Sequence, residues 1–284
     1  MPYPGGKNGA GVYQRLICMM PPHQAYVEPF LGGGTILKLK RPAPLNIAMD
    51  LHAPAVKAFL ELALAEVKSS AEAAAPDDTT RSGNDCRRAP SSAAILPAAA
   101  PKLRIFNRDG LVFLENLPPD LANGATLVYC DPPYLHSTRS TKSVVNGWKA
   151  RQTENGWNGL YQHEMSDVDH GRLLRWAIAT PCRVMISGYE SEMYLQALAG
   201  WRCSRFQAMT RGGLAEECVW ANFPEPTELH DYRYLGEGFR ERERIKRKKK
   251  RWLGKLERMA PLERLCLMSA IADTAHSSDA VPAK

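Results

Sequence analysis

Apolar residues run along this chain in two rhythms. Short runs bounded by Gly, Pro, Asn or Asp read as strands: "AYVE" ahead of "PFLGGG", Leu45–Asp50 ("LNIAMD"), "LRIFN", "TLVYC" and "RVMIS". Between them, apolar positions recur at helical spacing. Val56, Phe59, Leu60, Leu62, Ala63, Leu64 and Val67 predict an amphipathic helix over Ala53–Lys68. Shorter helices are expected after the N-terminal glycine loop, from "TILKLK", over Gly110–Asn116, over Asp167–Ala179 and in "SEMYLQALAG". The runs "CSRFQAMT" and "ECVWANF" flank "RGGLAE" and predict a β-hairpin. Strands alternating with helices imply an α/β fold: a mostly parallel twisted sheet with helices on both faces, closed by the antiparallel hairpin.

The rhythm lapses in three places. Residues 69–101 are rich in Ala, Ser, Pro, Asp and Arg, and their only larger aliphatics are Ile95 and Leu96. Such a stretch buries too little surface to offset its ordering entropy, so a flexible insertion is expected, with at most a short alanine helix over Ala71–Ala75. Residues 135–163 form a polar, tryptophan-bearing loop, and 224–284 a basic helical tail. One domain is then built from 1–68 and 102–223.

At 44% hydrophobic, the 284 residues can support a core of ordinary size, and wholesale disorder is excluded. The net charge of +7 favours an anionic partner. Its location says more: the excess gathers in "RERERIKRKKKRW", Arg240–Trp252, where Arg247, Lys248 and Lys249 suit phosphate contacts. The plainer alternative is a solvated helix face on which Glu241 and Glu243 pair with neighbouring arginines. Downstream, "PLERLCLMSAIAD" has the spacing of one amphipathic helix, a packing or oligomer element.

Seven cysteines are scattered without a C-x-x-C pair, which argues for reduced thiols over a disulfide framework or a zinc knuckle. His136, His163 and His170 stand in no ligand spacing, so no metal is expected. No run is apolar over the roughly 18 residues that a membrane span needs. Met1 is followed by no basic-then-apolar leader, so a cytoplasmic protein with no membrane partner is expected.

Open α/β sheets bind ligands beyond the carboxyl ends of their strands. Glu28, Pro29, Phe30 and Gly32–Gly34 follow the first predicted strand, and Asp50 ends the second. Asn107 and Asp109 follow the third, Asp131–Tyr134 the fourth, and Ser187 and Tyr189 the fifth. An acid beside glycines is poor company for a pyrophosphate, and the G-x-G-x-x-G of dinucleotide sites is missing. A nucleoside cofactor with a cationic centre and no phosphate, such as S-adenosylmethionine, fits better, with Asp50 placed for ribose hydroxyls. A glycine turn with Glu28 as a local hydrogen-bonder is the simpler alternative.

The fourth strand end is more specific. Pro132 and Pro133 make a stiff ledge that offers carbonyls and no N–H. Asp131 with a nearby carbonyl forms a double acceptor, which suits an exocyclic NH2. Tyr134 offers a face on which a base can stack, a contact worth about 1–3 kcal/mol. An ordinary strand-to-loop turn also uses Asp and Pro.

Taken in order, "PYPGGK", "VEPFLGGG", "AMD" and "VYCDPPY" resemble the Dam-like class of DNA N6-adenine methyltransferases, over Tyr3 to about Asn222. The resemblance implies a Rossmann-like methyltransferase fold. Tyr3, Gly5, Gly6 and Lys7 match the family's segment that closes over the cofactor. Glu28, Pro29, Phe30, Gly32 and Gly34 match its methionine-side loop, and Asp50 its ribose acid. Asp109 in "FNRDG" matches the acid that contacts the cofactor adenine, and Asp131, Pro132, Pro133 and Tyr134 match the catalytic motif.

The implied reaction moves a methyl group from S-adenosylmethionine to the N6 amine of an adenine flipped out of double-stranded DNA. It needs no covalent enzyme intermediate, hence no nucleophilic cysteine. The resemblance allows a cognate restriction enzyme as a partner, and a bacterial, phage or mobile-element origin. Amino-methyltransferases of other acceptors, RNA adenine among them, share the "DPPY" motif; those of cytosine N4 often have Ser in place of the Asp, so Asp131 favours adenine, and a non-catalytic DNA-binding protein would keep the fold.

One interval departs from the family. Dam-like enzymes usually carry a helical target-recognition region between the ribose acid and the catalytic strand, where this chain has its Ala/Pro/Ser-rich stretch. Recognition is expected to have moved to 135–163, where Arg139, Lys142, Trp148, Lys149, Arg151 and Trp157 mix basic and aromatic side chains. A lid packed on its own tryptophans is the alternative.

Overall fold

The computed structural model describes residues 7–9, 11–73, 100–138, 163–210 and 213–277. The chain divides into two compact units, Met1–Tyr232 and Arg233–Lys284. The first begins with α1 (Val12–Ile17), β1 (Ala25–Glu28), α2 (Thr35–Leu39), β2 (Leu45–Asp50) and α3 (Ala53–Ala73). It continues with β3 (Lys102–Asn107), α4 (Gly110–Glu115), β4 (Thr126–Cys130), α5 (Asp167–Ala179) and β5 (Arg183–Gly188). It closes with α6 (Glu192–Ala197), β6 (Arg202–Thr210) and β7 (Gly213–Ala221).

The strands form one sheet in the order β3-β2-β1-β4-β5-β7-β6. β1 to β5 are parallel, while β7 runs antiparallel to both β5 and β6. This is the α/β architecture that the two rhythms imply. Because side chains alternate along a strand, each run feeds both faces. Val27, Val128, Cys130, Val184 and Ile186 pack with Leu114 of α4, Leu173 of α5 and Tyr194 of α6. Tyr26, Ala48, Leu127, Tyr129 and Met185 pack with Leu16 of α1, Ile36 of α2 and Phe59 of α3. With both faces covered, β1 and β4 are buried along their whole length, and that is why they read as unbroken apolar runs.

Helix starts follow from local chemistry. The Ser166 hydroxyl and the Asp169 carboxylate cap α5 reciprocally, Ser191 caps α6, and Asp109 caps α4. Two elements differ from expectation. α3 runs on to Ala73, because the stretch "SSAEA" offers good helix formers and nothing to stop it. The hairpin loop is shorter than "RGGLAE": the ladder continues to Thr210↔Gly213, satisfying backbone groups that a longer loop would leave to solvent. Of the insertion expected at 69–101, residues 74–99 lie outside the described residues.

The second unit contains α7 (Phe239–Glu257) and α8 (Pro261–Ser277). No side chain of α7 is buried. Arg244 pairs with Glu241 at 3.2 Å and Lys246 with Glu243 at 3.7 Å, contacts worth at most about 1 kcal/mol each at such exposure. On α8, Leu262, Leu265, Leu267, Met268 and Ile271 are all exposed. At 100° per residue they spread over more than half of the helix circumference, so the expected single apolar face is not present. Among the described residues, no helix is long and apolar enough to cross a membrane.

Candidate active site

The order of strands reverses direction between β1 and β4, and a cleft opens there beyond their carboxyl ends. It is lined by Lys7, Glu28, Pro29, Phe30, Gly32, Gly34, Asp50, Asp109, Asp131, Pro132, Pro133 and Tyr134. The turn after β1 is stitched to the end of β2. The Gly32 N–H donates to Asp50 Oδ2 at 2.7 Å, and the Leu31 N–H to the Met49 carbonyl at 2.9 Å. Gly34 has φ 63°, and a Cβ there would meet the Phe59 ring at 2.2 Å. A side chain is therefore excluded twice over, by conformation and by space.

Asp50 also accepts from the His52 N–H at 2.8 Å, so both of its oxygens are oriented by backbone. Asn107 clamps the same corner, donating to the Asp50 and Leu51 carbonyls. Asp109 Oδ1 caps α4 through the Leu111 and Val112 N–H groups. Glu28 is fully buried and accepts from the Tyr26 hydroxyl at 2.8 Å. Burial, with some help from Asp131, pushes its carboxyl up to about 8.

The opposite wall is built around a buried cation. The Lys7 ammonium reaches Asp131 Oδ1 at 3.1 Å and Glu217 Oε2 at 3.0 Å, and it donates to the Tyr134 hydroxyl. Burial alone would favour the neutral amine. The negative ends of Asp131, Tyr129 and Glu217 outweigh it and hold Lys7 above the ordinary lysine range. The Tyr134 hydroxyl donates to Asp131 Oδ1 at 3.2 Å, and its ring meets Tyr189 edge-on at 4.7 Å between centroids. Burial lifts the Asp131 carboxyl to about 6, with Lys7 pulling it down and Glu217 pushing it up. Next to it, burial and the charges of Asp131 and Glu28 keep the Cys130 thiol protonated, which makes it a poor nucleophile.

Of the residues singled out from the sequence, Tyr3, Gly5, Gly6, Arg139, Lys142, Trp148, Lys149, Arg151 and Trp157 lie outside the described residues. Arg247, Lys248 and Lys249 lie on α7 in the second unit. Three features went unread. Gly110 is one: its Cβ would meet the Pro29 carbonyl at 2.0 Å, so α4 docks against the turn after β1 only as glycine. Thr35 is another, its hydroxyl tying that turn to Asn8 at 3.0 Å. Glu217 is the third, and here a signal existed. It shares a strand face with buried Val219 and Ala221, and an acid on an apolar face needs a partner. Among the described residues, no group of His, Cys, Asp or Glu side chains is arranged to hold a metal.

No family model matches the chain, and neither does any curated protein. Solved structures share its fold at low similarity. The methyltransferase candidate YhhF of Escherichia coli is 12% identical over 78% of this chain and 90% of its own, with a TM-score of 0.39. Precorrin 8W decarboxylase of Methanobacterium thermoautotrophicum is 10% identical over 78% and 94%, with the same score. Magnesium protoporphyrin IX methyltransferase of Synechocystis, with bound S-adenosylmethionine, is 10% identical over 75% and 76%, with a TM-score of 0.34. Values this low carry no activity from one protein to another.

Proposed function

We propose that the chain is an S-adenosylmethionine-dependent methyltransferase acting on the N6 amine of adenine in double-stranded DNA. One observation carries the reading: Asp131 and Tyr134 share a buried lysine on one wall of a cleft whose other wall is the Glu28–Gly34 turn. The cleft fits that cofactor. Asp50, Asp109 and Asp131 make an acid-rich lining, hostile to phosphate and favourable to a sulfonium, and a cation bound there would draw the raised Glu28 carboxyl toward ionisation as well. Asp50 keeps lone pairs beyond the two N–H bonds it accepts, enough for ribose hydroxyls.

Bound there, the cofactor supplies a methyl group on a positive sulfur, which departs as a neutral thioether. The chain's own residues do the rest by placement. Asp131 and the Pro132 carbonyl accept the two N–H bonds of the acceptor amine and turn its lone pair toward the methyl carbon, while the Tyr134 ring supports the flipped base. With the cofactor bound, the positive charge that transfer would place on the acceptor nitrogen would lie beside the Asp131 carboxylate. The surplus proton passes to that carboxylate, which is ionised at neutral pH and, lifted to about 6, basic enough to receive it. Holding the partners in line supplies much of the acceleration. Arg247, Lys248 and Lys249 add phosphate contacts that are blind to sequence and sensitive to salt.

The test is tritium transfer from labelled S-adenosylmethionine to unmethylated duplex DNA, followed by nucleoside analysis, with Asp131→Ala as control. Label in N6-methyldeoxyadenosine, lost in the control, is the expected result. Label in N4-methylcytosine, or only in RNA, moves the acceptor and keeps the chemistry. No label anywhere, with cofactor still bound, leaves the non-catalytic DNA-binding reading.

A further inference from the structure

Glu217 is buried on β7, where its neighbours on the same face, Val219 and Ala221, belong to the core. A carboxylate there is tolerated only with a partner, and that partner is Lys7 at 3.0 Å. An ammonium has three N–H groups. Those of Lys7 have three acceptors close by: Glu217 Oε2, Asp131 Oδ1 and the Tyr134 hydroxyl. Removing Glu217 would leave one donor without its acceptor and one carboxylate to balance the charge. Chain direction makes the arrangement available. β7 runs against β5 with Gly188 opposite Cys218, so a mid-strand residue of β7 arrives at the carboxyl ends of the parallel strands. Glu217 itself does not line the cleft.

We propose that Glu217 is a positioning residue: by holding the Lys7 ammonium between two carboxylates, it fixes the Asp131 carboxylate and the Tyr134 ring at the acceptor wall. The proposal rests on the methyltransferase reading above. It also makes a prediction about sign. The groups that face Asp131 are Lys7 from the N-terminal segment, Glu28 from β1, Tyr129 from β4, Tyr134 beside it, Tyr189 after β5 and Glu217 from β7. As a bare negative neighbour, Glu217 raises Asp131, so deleting its charge lowers the pH at which Asp131 titrates. As the anchor of Lys7, it has the reverse effect when lost: Lys7 drifts, and Asp131 titrates higher.

The experiment uses the full chain as wild type, E217A, E217Q, K7M and the K7M/E217A double variant. Methyl transfer to unmethylated duplex DNA is followed across pH. The Asp131 carboxylate is titrated in parallel by carbon-13 NMR, with D131N identifying its signal. In E217A, kcat is expected to fall about tenfold or more, the loss of a charge-assisted hydrogen bond in a buried site. The KM for cofactor should stay within about twofold, with the acidic limb of the profile moving to higher pH. E217Q, whose amide oxygen still accepts from Lys7, recovers most of the rate while its limb moves to lower pH. In the K7M background E217A costs nothing further.

A limb that moves to lower pH in E217A, or equal losses with and without Lys7, overturns the proposal. If E217A does not fold, E217M, of similar length and without an acceptor, replaces it. If the wild type methylates no nucleic acid, the methyltransferase reading falls and the titration alone decides. An upward shift in E217A supports the anchoring role, and a downward or absent shift removes it.

Discussion

Two lysines are buried at opposite rims of the same sheet, in very different company. Lys40, near the amino ends of the strands, is 2% exposed. Its ammonium donates to the Arg41 carbonyl at 3.0 Å and the Asn46 side-chain oxygen at 3.2 Å, and it lies 4.1 Å from the Tyr26 ring centroid. Lys7, at the carboxyl ends, is 5% exposed and is shared between two carboxylates and a phenol. Burial is nearly equal, so burial does not separate structure from chemistry. The partners do. Around Lys40, dipoles and a ring face hold the charge, and the titrating groups it acts on, His23 and His230, stand at the rim away from the cleft. Two carboxylates around one ammonium make three groups whose protonation is linked, and at this rim they border a cleft.

The contrast can be broken most directly at Asp131. Asp131→Ala should reduce methyl transfer by roughly 100- to 1000-fold, the scale for losing a pre-placed charge-stabilising group. Its urea midpoint should stay close to that of wild type. Retained transfer, or collapse of the fold, would erase the distinction between the rims. Next in size is a crossed pair. Lys40→Met should lower stability by about 2 kcal/mol, by orphaning buried acceptors, with kcat per folded molecule unchanged. Lys7→Met should differ in kcat per folded molecule, which falls about tenfold or more, while it also lowers stability by leaving Glu217 buried without its cation.

The rims should also answer pH with opposite slopes. At the amino-end rim, His23 stacks on His230 at 3.8 Å, and burial, then Lys40, pulls its pKa down to about 3. The unfolded chain takes up that proton near pH 6.5, so stability falls as pH drops from 6.5 toward 3, by about 1.4 kcal/mol per unit for one group. His23→Gln should flatten that slope. Asp131, raised to about 6 in the fold, binds its proton more tightly there than in the unfolded chain. Its contribution is present below pH 4 and is lost as pH rises toward 6, and D131N should remove it. Denaturant titrations at several pH values read both slopes. The smallest effect is expected from Tyr134→Phe, which deletes one of the three acceptors of Lys7 and keeps the ring. A loss of about fivefold in kcat, near 1 kcal/mol, is expected with unchanged cofactor KM.

The sheet was legible because its central strands are covered on both faces and read as apolar runs, and because a residue at a strand's end is fixed by its place in the chain. Glu28, Asp50 and Asp131 could be named for that reason. Glu217 could not. It lies mid-strand, and only the antiparallel course of β7 brings it to the site. Gly110 was hidden for a different reason: its requirement is set by the Pro29 carbonyl across a tertiary contact that no local pattern reveals. α8 misled in the opposite way, since its apolar spacing suggested one face and its side chains are exposed over more than half of the helix.

The span of the Lys7 contacts also sets an order of assembly. A growing chain makes this lysine first of the three, its phenol partner 127 residues later and Glu217 210 residues later. At about 5–20 residues per second, the ammonium waits roughly 10–40 s on the ribosome for its final carboxylate. By then β1 to β5 have all been synthesised, so a nascent chain can hold most of the cleft while its acceptor wall stays unlocked. The last of the described strands to be made thus arms a site begun 210 residues earlier.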